Sequence, residues 1–161
     1  MALLLIFLLY AIVGLLAACG AIAITSRHLA PRLEQAAYGI LLSPIALIYL
    51  AFLARLSPEA SWHAELLPAV GFAVLGLAGA RYMPLLLLSY VGHGAWDLIH
   101  EVRMLQGRLE DLTAIPLAYG VFCAVFDWVV AGYFWIRRGA WAAAWRDHQP
   151  GPGVSPQPLP R

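Results

Sequence analysis

Ser89-Tyr90-Val91-Gly92-His93-Gly94-Ala95-Trp96-Asp97-Leu98-Ile99-His100-Glu101-Val102 sets four ionisable side chains into an apolar run that closes at Arg103-Met104. His93, Asp97, His100 and Glu101 follow one another at steps of four, three and one. At 3.6 residues per turn they fall within an arc of about 100°, a polar stripe on one face of a helix. In a membrane segment such a stripe is costly unless it finds partners, so it faces a bundle interior and marks a site or an ion path.

The surrounding composition makes this a membrane segment. The 161 residues are 62% hydrophobic and 12% charged, far from the quarter-charged average of soluble domains. The fold class read from this is all-α, a polytopic membrane bundle embedded in the lipid bilayer, located as a multi-pass protein of the cell inner membrane. Apolar runs at 2–24, 35–54, 66–80, 84–102 and 114–136 give five spans, each near the length of about 20 residues that crosses a bilayer. Arg81-Tyr82-Met83-Pro84 is the only break between the third and fourth. Proline suits the first turn of a helix and disfavours α geometry before it, so two helices joined by a tight turn are expected there.

There is no lysine, and the ten basic residues are all arginine. A net charge of +1 makes no case for nucleic acid. Arg27, Arg32, Arg81, Arg137, Arg138 and Arg146 fall on one side of the membrane and Arg55, Arg103 and Arg108 on the other. The excess of the first set places it in the cytoplasm, with the N-terminus outside and the C-terminus inside. The stripe then lies in the outer half of the fourth helix.

Outside the stripe, most features read as packing or as interface. Gly14, Ala18, Ala21 and Thr25, and Ala69, Ala73, Gly76 and Ala80, each repeat at i, i+4, i+7, i+11, lining up small faces for close approach within the bundle or between copies in a homo-oligomer. Ser43-Pro44 reads as a kink with a local hydroxyl bond to freed backbone. Cys19 and Cys123 read as small core residues without a disulfide. Leu16-Ala17-Ala18-Cys19-Gly20 resembles a lipoprotein cleavage box, yet no basic region precedes it and the apolar run continues to Ile24, so the segment reads as retained. Ser57-Pro58-Glu59 with Trp62-His63 suggests a capped interfacial turn in which His63 and Glu65 are solvated. Trp141 and Trp145 beside Arg146 suggest an interfacial helix over 137–147. Five prolines in 149–161 predict a disordered tail.

A second acid, Asp127, lies deep in the last apolar run. If the fourth and fifth helices are antiparallel and joined by the loop after Arg103, residues at equal depth have nearly constant summed numbers, and His93 matches Asp127 as Asp97 matches Cys123. An unpaired carboxylate facing lipid is heavily penalised, so Asp127 is expected to meet the stripe. Three chemistries suit the result. Imidazole nitrogen and carboxylate oxygen are ligands of a divalent metal such as zinc or iron, with His93, His100 and Asp127 holding it and Asp97 and Glu101 as catalytic groups in an enzyme acting on a lipid-phase substrate. A chain of His, Asp and Glu is also material for a proton path. The third reading is a non-enzymatic subunit, with a polar network that only sets helix register or with His93 ligating a pigment or haem.

Gly92-His93-Gly94-Ala95-Trp96-Asp97-Leu98-Ile99-His100-Glu101, followed by Phe122-Cys123-Ala124-Val125-Phe126-Asp127, resembles a family of small bacterial integral membrane proteins catalogued as a domain of unknown function. Its members carry a similar His-x-x-Trp-Asp-x-x-His-His and a later Cys-Ala-x-x-Asp. The resemblance covers the region from Arg81 to Phe134. It implies site roles for His93, Trp96, Asp97, His100, Cys123 and Asp127, with Trp96 and Cys123 lining the site. Glu101 stands where that pattern has a second histidine. The resemblance brings no activity or substrate with it.

Overall fold

The computed structural model describes residues 1–56, 62–107 and 114–147. Five helices follow in order: α1 (Ala2–His28), α2 (Pro31–Leu56), α3 (Trp62–Gly79), α4 (Met83–Leu105) and α5 (Tyr119–Arg146). No strand occurs among the described residues. At 1.5 Å per residue they are about 27–42 Å long, the scale of a bilayer's apolar core. Four of them, α1, α2, α3 and α5, are long and apolar enough to cross a membrane. The fourth, α4, is set apart by its polar stripe. It nevertheless runs back between α3 and α5: Leu86 packs on Gly79 and His93 on Phe72, while His100 reaches Glu65 at the other end of α3.

The helices α2 to α5 form an up-down bundle, and α1 lies outside it, packed chiefly on α5. Gly14 backs onto the Phe122 carbonyl and Gly76 onto Leu42, so the two small-residue faces are taken up within one chain. Most large side chains of α1 face outward, as a lipid-exposed helix requires. Cys19 shares that outer surface instead of the core, whereas Cys123 is buried.

Several local expectations are revised. The turn before Pro84 is present, with proline in the first turn of α4. The last helix starts at Tyr119, not at 114, because Pro116 has no N–H to donate and Ala118 adopts a left-handed conformation (φ 63°) that no regular helix continues. At its other end α5 continues unbroken to Arg146, and no separate interfacial helix forms over 137–147. The reason is a partner: Trp141 is fully buried and donates its indole N–H to Glu34 at 2.8 Å, and Trp145 donates to Gln35 at 3.0 Å. Ser43 beside Pro44 turns its hydroxyl to the Ala73 carbonyl of α3 at 3.4 Å, not to its own helix. The tail at 149–161, Ser57-Pro58-Glu59 and Arg108 lie outside the described residues.

The seam between α2 and α3 is a close backbone approach. A Cβ on Gly39 would lie 2.6 Å from both the Ala80 amide nitrogen and the Gly76 carbonyl oxygen. Backbone cannot yield as a flexible side chain can, so Gly39→Val is expected to cost roughly 1–3 kcal/mol or more of stability. Gly71→Ala, at a helix position with nothing within 4 Å, serves as the control and should be neutral or stabilising. Thermal unfolding in detergent compares the two; equal midpoints would contradict this packing.

Candidate functional site

Because α4 runs between α3 and α5 with α2 across its face, every member of the stripe looks into protein. His93, Asp97, His100 and Glu101 are all at most 1% exposed, as is Asp127. His100 and Glu101 are therefore fully buried, not partly wet. What each side chain meets is decided by which neighbouring helix lies opposite it.

His93 faces α5. Its Nδ1 lies 2.8 Å from Asp127 Oδ2, the pairing expected from equal depth. Asp97, one turn along α4, brings its Oδ2 to 3.1 Å from the same nitrogen, close enough for ion pairing but outside hydrogen-bond geometry. Its other oxygen accepts a hydrogen bond of 2.5 Å from the Tyr49 hydroxyl of α2. His93 Nδ1 and one oxygen from each of Asp97 and Asp127 thus converge, with ligand atoms all within 4.8 Å of one another. Two carboxylates meet one imidazole, and no arginine pairs with either among the described residues.

His100 does not join this group. It lies two turns beyond His93 and faces α3, where its Nε2 is 2.8 Å from Glu65 Oε1, while Nδ1 donates to the Trp96 carbonyl at 3.0 Å. Glu65, read from the sequence as solvated, is 1% exposed, whereas His63 is exposed. The first turn of α3 places Glu65 over the stripe, and a buried acid stays where it finds a base.

Glu101 is also elsewhere. Its two carboxylate oxygens accept from the backbone N–H groups of Ala118 (2.9 Å) and Gly120 (3.1 Å), which open α5. An acid there satisfies orphan donors and the positive end of the helix dipole, so Glu101 is a structural anchor. The anchor needs Gly120, where a Cβ would run into the Asp97 carbonyl oxygen and sit 3.0 Å from Glu101 Cβ. Trp96 packs edge-on against His100 at 5.0 Å between ring centres. Ser89 donates its hydroxyl to the Leu86 carbonyl at 2.8 Å. Cys123 is buried one turn after Tyr119 on α5.

Two participants escaped the sequence reading. Tyr49 sits in a run of apolar residues and differs from its neighbours by one oxygen, so only the arrival of Asp97 opposite it shows its role. Glu34 stands just before the second apolar run. It is fully buried, accepting from Tyr133 (2.5 Å), Arg137 (3.0 Å) and Trp141 (2.8 Å). An isolated acid at a helix start with an arginine about a hundred residues later carries no local signal of this pairing.

The bundle and its interior thus define a class: an all-helical chain, four of whose helices are long and apolar enough to cross a membrane, with a buried His/Asp group. The chain belongs to DUF6010, a family of unknown function, whose family model matches residues 9–140. No curated protein matches it, and no solved structure does.

The anchoring role of Glu101 is checked by Glu101→Ala. Stripping the acceptor from two helix-start N–H groups is expected to cost about 1–3 kcal/mol and to open the first turn of α5. Hydrogen exchange at the amides of residues 118–122 should quicken. Unchanged exchange there would restore Glu101 as a candidate for chemistry.

Proposed function

We propose that this protein is a metal-binding integral membrane protein in which His93, Asp97 and Asp127 hold one divalent cation. The observation that carries the reading is the charge imbalance at a convergent point. Two buried carboxylates and an imidazole aim ligand atoms at one another, with no arginine paired to them among the described residues. Excess negative charge in a low-dielectric core is relieved by a proton or by a bound cation, and the donor set, one nitrogen and two oxygens, suits zinc or non-haem iron. Zinc takes such ligands at about 2.0–2.2 Å, so the spacings of 2.8 and 3.1 Å around Nδ1 need only a small widening to admit it. Tyr49, bonded to the far oxygen of Asp97, is placed as an outer-shell group that orients a ligand.

Catalysis on a lipid-phase substrate is less well supported. The crevice beside His93, between Tyr49, Glu65, Phe72 and Trp96, has no room for a water molecule, and a lipid needs far more. A transmembrane proton path meets a different obstacle. Toward the arginine-rich end the group gives way to a layer of Tyr38, Tyr90 and Phe134, whose rings pack edge to face at 5.0–6.4 Å. The hydroxyls of that layer are engaged elsewhere, Tyr90 with the Tyr38 carbonyl and Tyr38 with Thr25. Metal binding without assigned turnover is therefore the function that the geometry supports best.

Elemental analysis of the purified chain tests the proposal. About one divalent metal per chain is expected in the native protein, and a His93→Ala, Asp127→Ala variant should lose it, since removing two of three ligands leaves no chelate. Equal, near-zero metal in both proteins sinks the idea. Tyr49→Phe should retain metal with affinity weakened by roughly 10–100-fold, the usual cost of losing an outer-shell partner.

A further inference from the structure

The end of the bundle opposite the His/Asp group gathers Arg27, Arg32, Arg81, Arg137, Arg138 and Arg146 against two carboxylates, Glu34 and Asp147, among the described residues. Glu34 is consumed by Arg137 at 3.0 Å. Between the α3–α4 turn and the last turns of α5 lies an open cavity of about 320 Å³, and Arg81, Arg138 and Arg146 line it with Gln35, Tyr82 and Trp145. No ion pair joins any of these three arginines to a carboxylate among the described residues. Aromatic rings hold two of them instead: the Arg81 guanidinium lies 4.5 Å from the Trp145 ring centre and 5.6 Å from that of Tyr82, and Arg138 lies 4.0 Å from Trp135.

This wall is built, not draped. Gln35, 1% exposed, donates to the Gly79 carbonyl at 2.9 Å and accepts from the Trp145 indole at 3.0 Å, so the ring that carries Arg81 is fixed to both α2 and α3. A stacked guanidinium keeps its N–H fork available, whereas one paired with a carboxylate does not. The N-terminus of α4, where Met83 and Pro84 line the same cavity, adds the positive end of a helix dipole. Converging arginines, a helix N-terminus and aromatic walls at the headgroup level of a membrane-crossing bundle form an anion site.

We propose that this cavity binds a phosphate group, carried either by the headgroup of an anionic phospholipid or by a soluble phosphate. Trp145 and Tyr82 would flank the glycerol region of a lipid, and the three guanidinium groups would take the phosphate oxygens.

Native mass spectrometry of the full chain in detergent tests this, with dioleoylphosphatidylglycerol, dioleoylphosphatidylcholine and inorganic phosphate added separately. The native protein is expected to retain one phosphatidylglycerol in preference to phosphatidylcholine. An Arg81→Ala, Arg146→Ala variant should lose that preference by about tenfold or more. Arg27→Ala, at the same end but outside the cavity, should keep it. Arg138→Ala supplies a second reading should the double variant melt below the native protein. Retention of inorganic phosphate that depends on the same arginines, without a lipid preference, assigns the site to a soluble phosphate. Equal retention of both lipids with no phosphate bound, or preferences untouched by all the arginine variants, overturns the proposal.

Discussion

Two carboxylates share one imidazole nitrogen near the middle of an apolar bundle, and much of the arrangement follows from keeping that contact out of lipid. Each charge would cost several kcal/mol or more if it faced hydrocarbon, so the stripe on α4 has to be enclosed on every side. Enclosure puts α4 between α3 and α5 and lays α2 across its polar face. Each neighbour then supplies a partner at the depth where one is required: Asp127 from α5, Tyr49 from α2, Glu65 from α3 and two backbone N–H groups from the start of α5. The helix least suited by composition to cross a membrane is thereby the one around which α2, α3 and α5 assemble.

Steps of four, three and one along α4 also divide the stripe. His93 and Asp97 share a face with α5 and α2, His100 turns to α3, and Glu101 meets the chain where it enters α5. Four residues that look equivalent along the sequence enter three arrangements: a convergent His/Asp group, a His/Glu pair and a helix anchor. Only the first brings three potential ligand atoms together, which is why a metal is proposed there and not at His100 or Glu101.

The opposite end of the bundle solves a similar problem differently. Glu34, buried without exposure, is neutralised by Arg137 and capped by Tyr133 and Trp141. Its pairing draws the last turns of α5 onto α2, which turns an expected surface helix into the continuation of α5. Arg32, Arg81 and Arg138 lie over aromatic rings and, like Arg27 and Arg146, form no ion pair with a carboxylate among the described residues, whereas the other end is closed around its own charges. Between them the Tyr38, Tyr90 and Phe134 layer separates the two polar systems.

Much of the architecture was legible in the chain because it rests on local physics. Apolar run length and the proline after Arg81 are properties of short segments, and they lead to five helices and the α3–α4 turn. The register of an antiparallel pair also follows from helix rise alone, which is why His93 and Asp127 could be matched in depth. Azimuth cannot be read in this way. Whether His100 turns toward Asp127 or Glu65, whether Glu101 meets solvent or the start of α5, and whether Trp141 lies on a surface or against Glu34 depend on how helices distant in sequence rotate against one another. Tyr49 and Glu34 stayed invisible for the same reason, since each is defined by a partner 48 and 103 residues away. The sequence determined that charges had to be buried at a given depth; only the tertiary packing decided which charges meet, because that choice belongs to the contact between helices and not to any one of them.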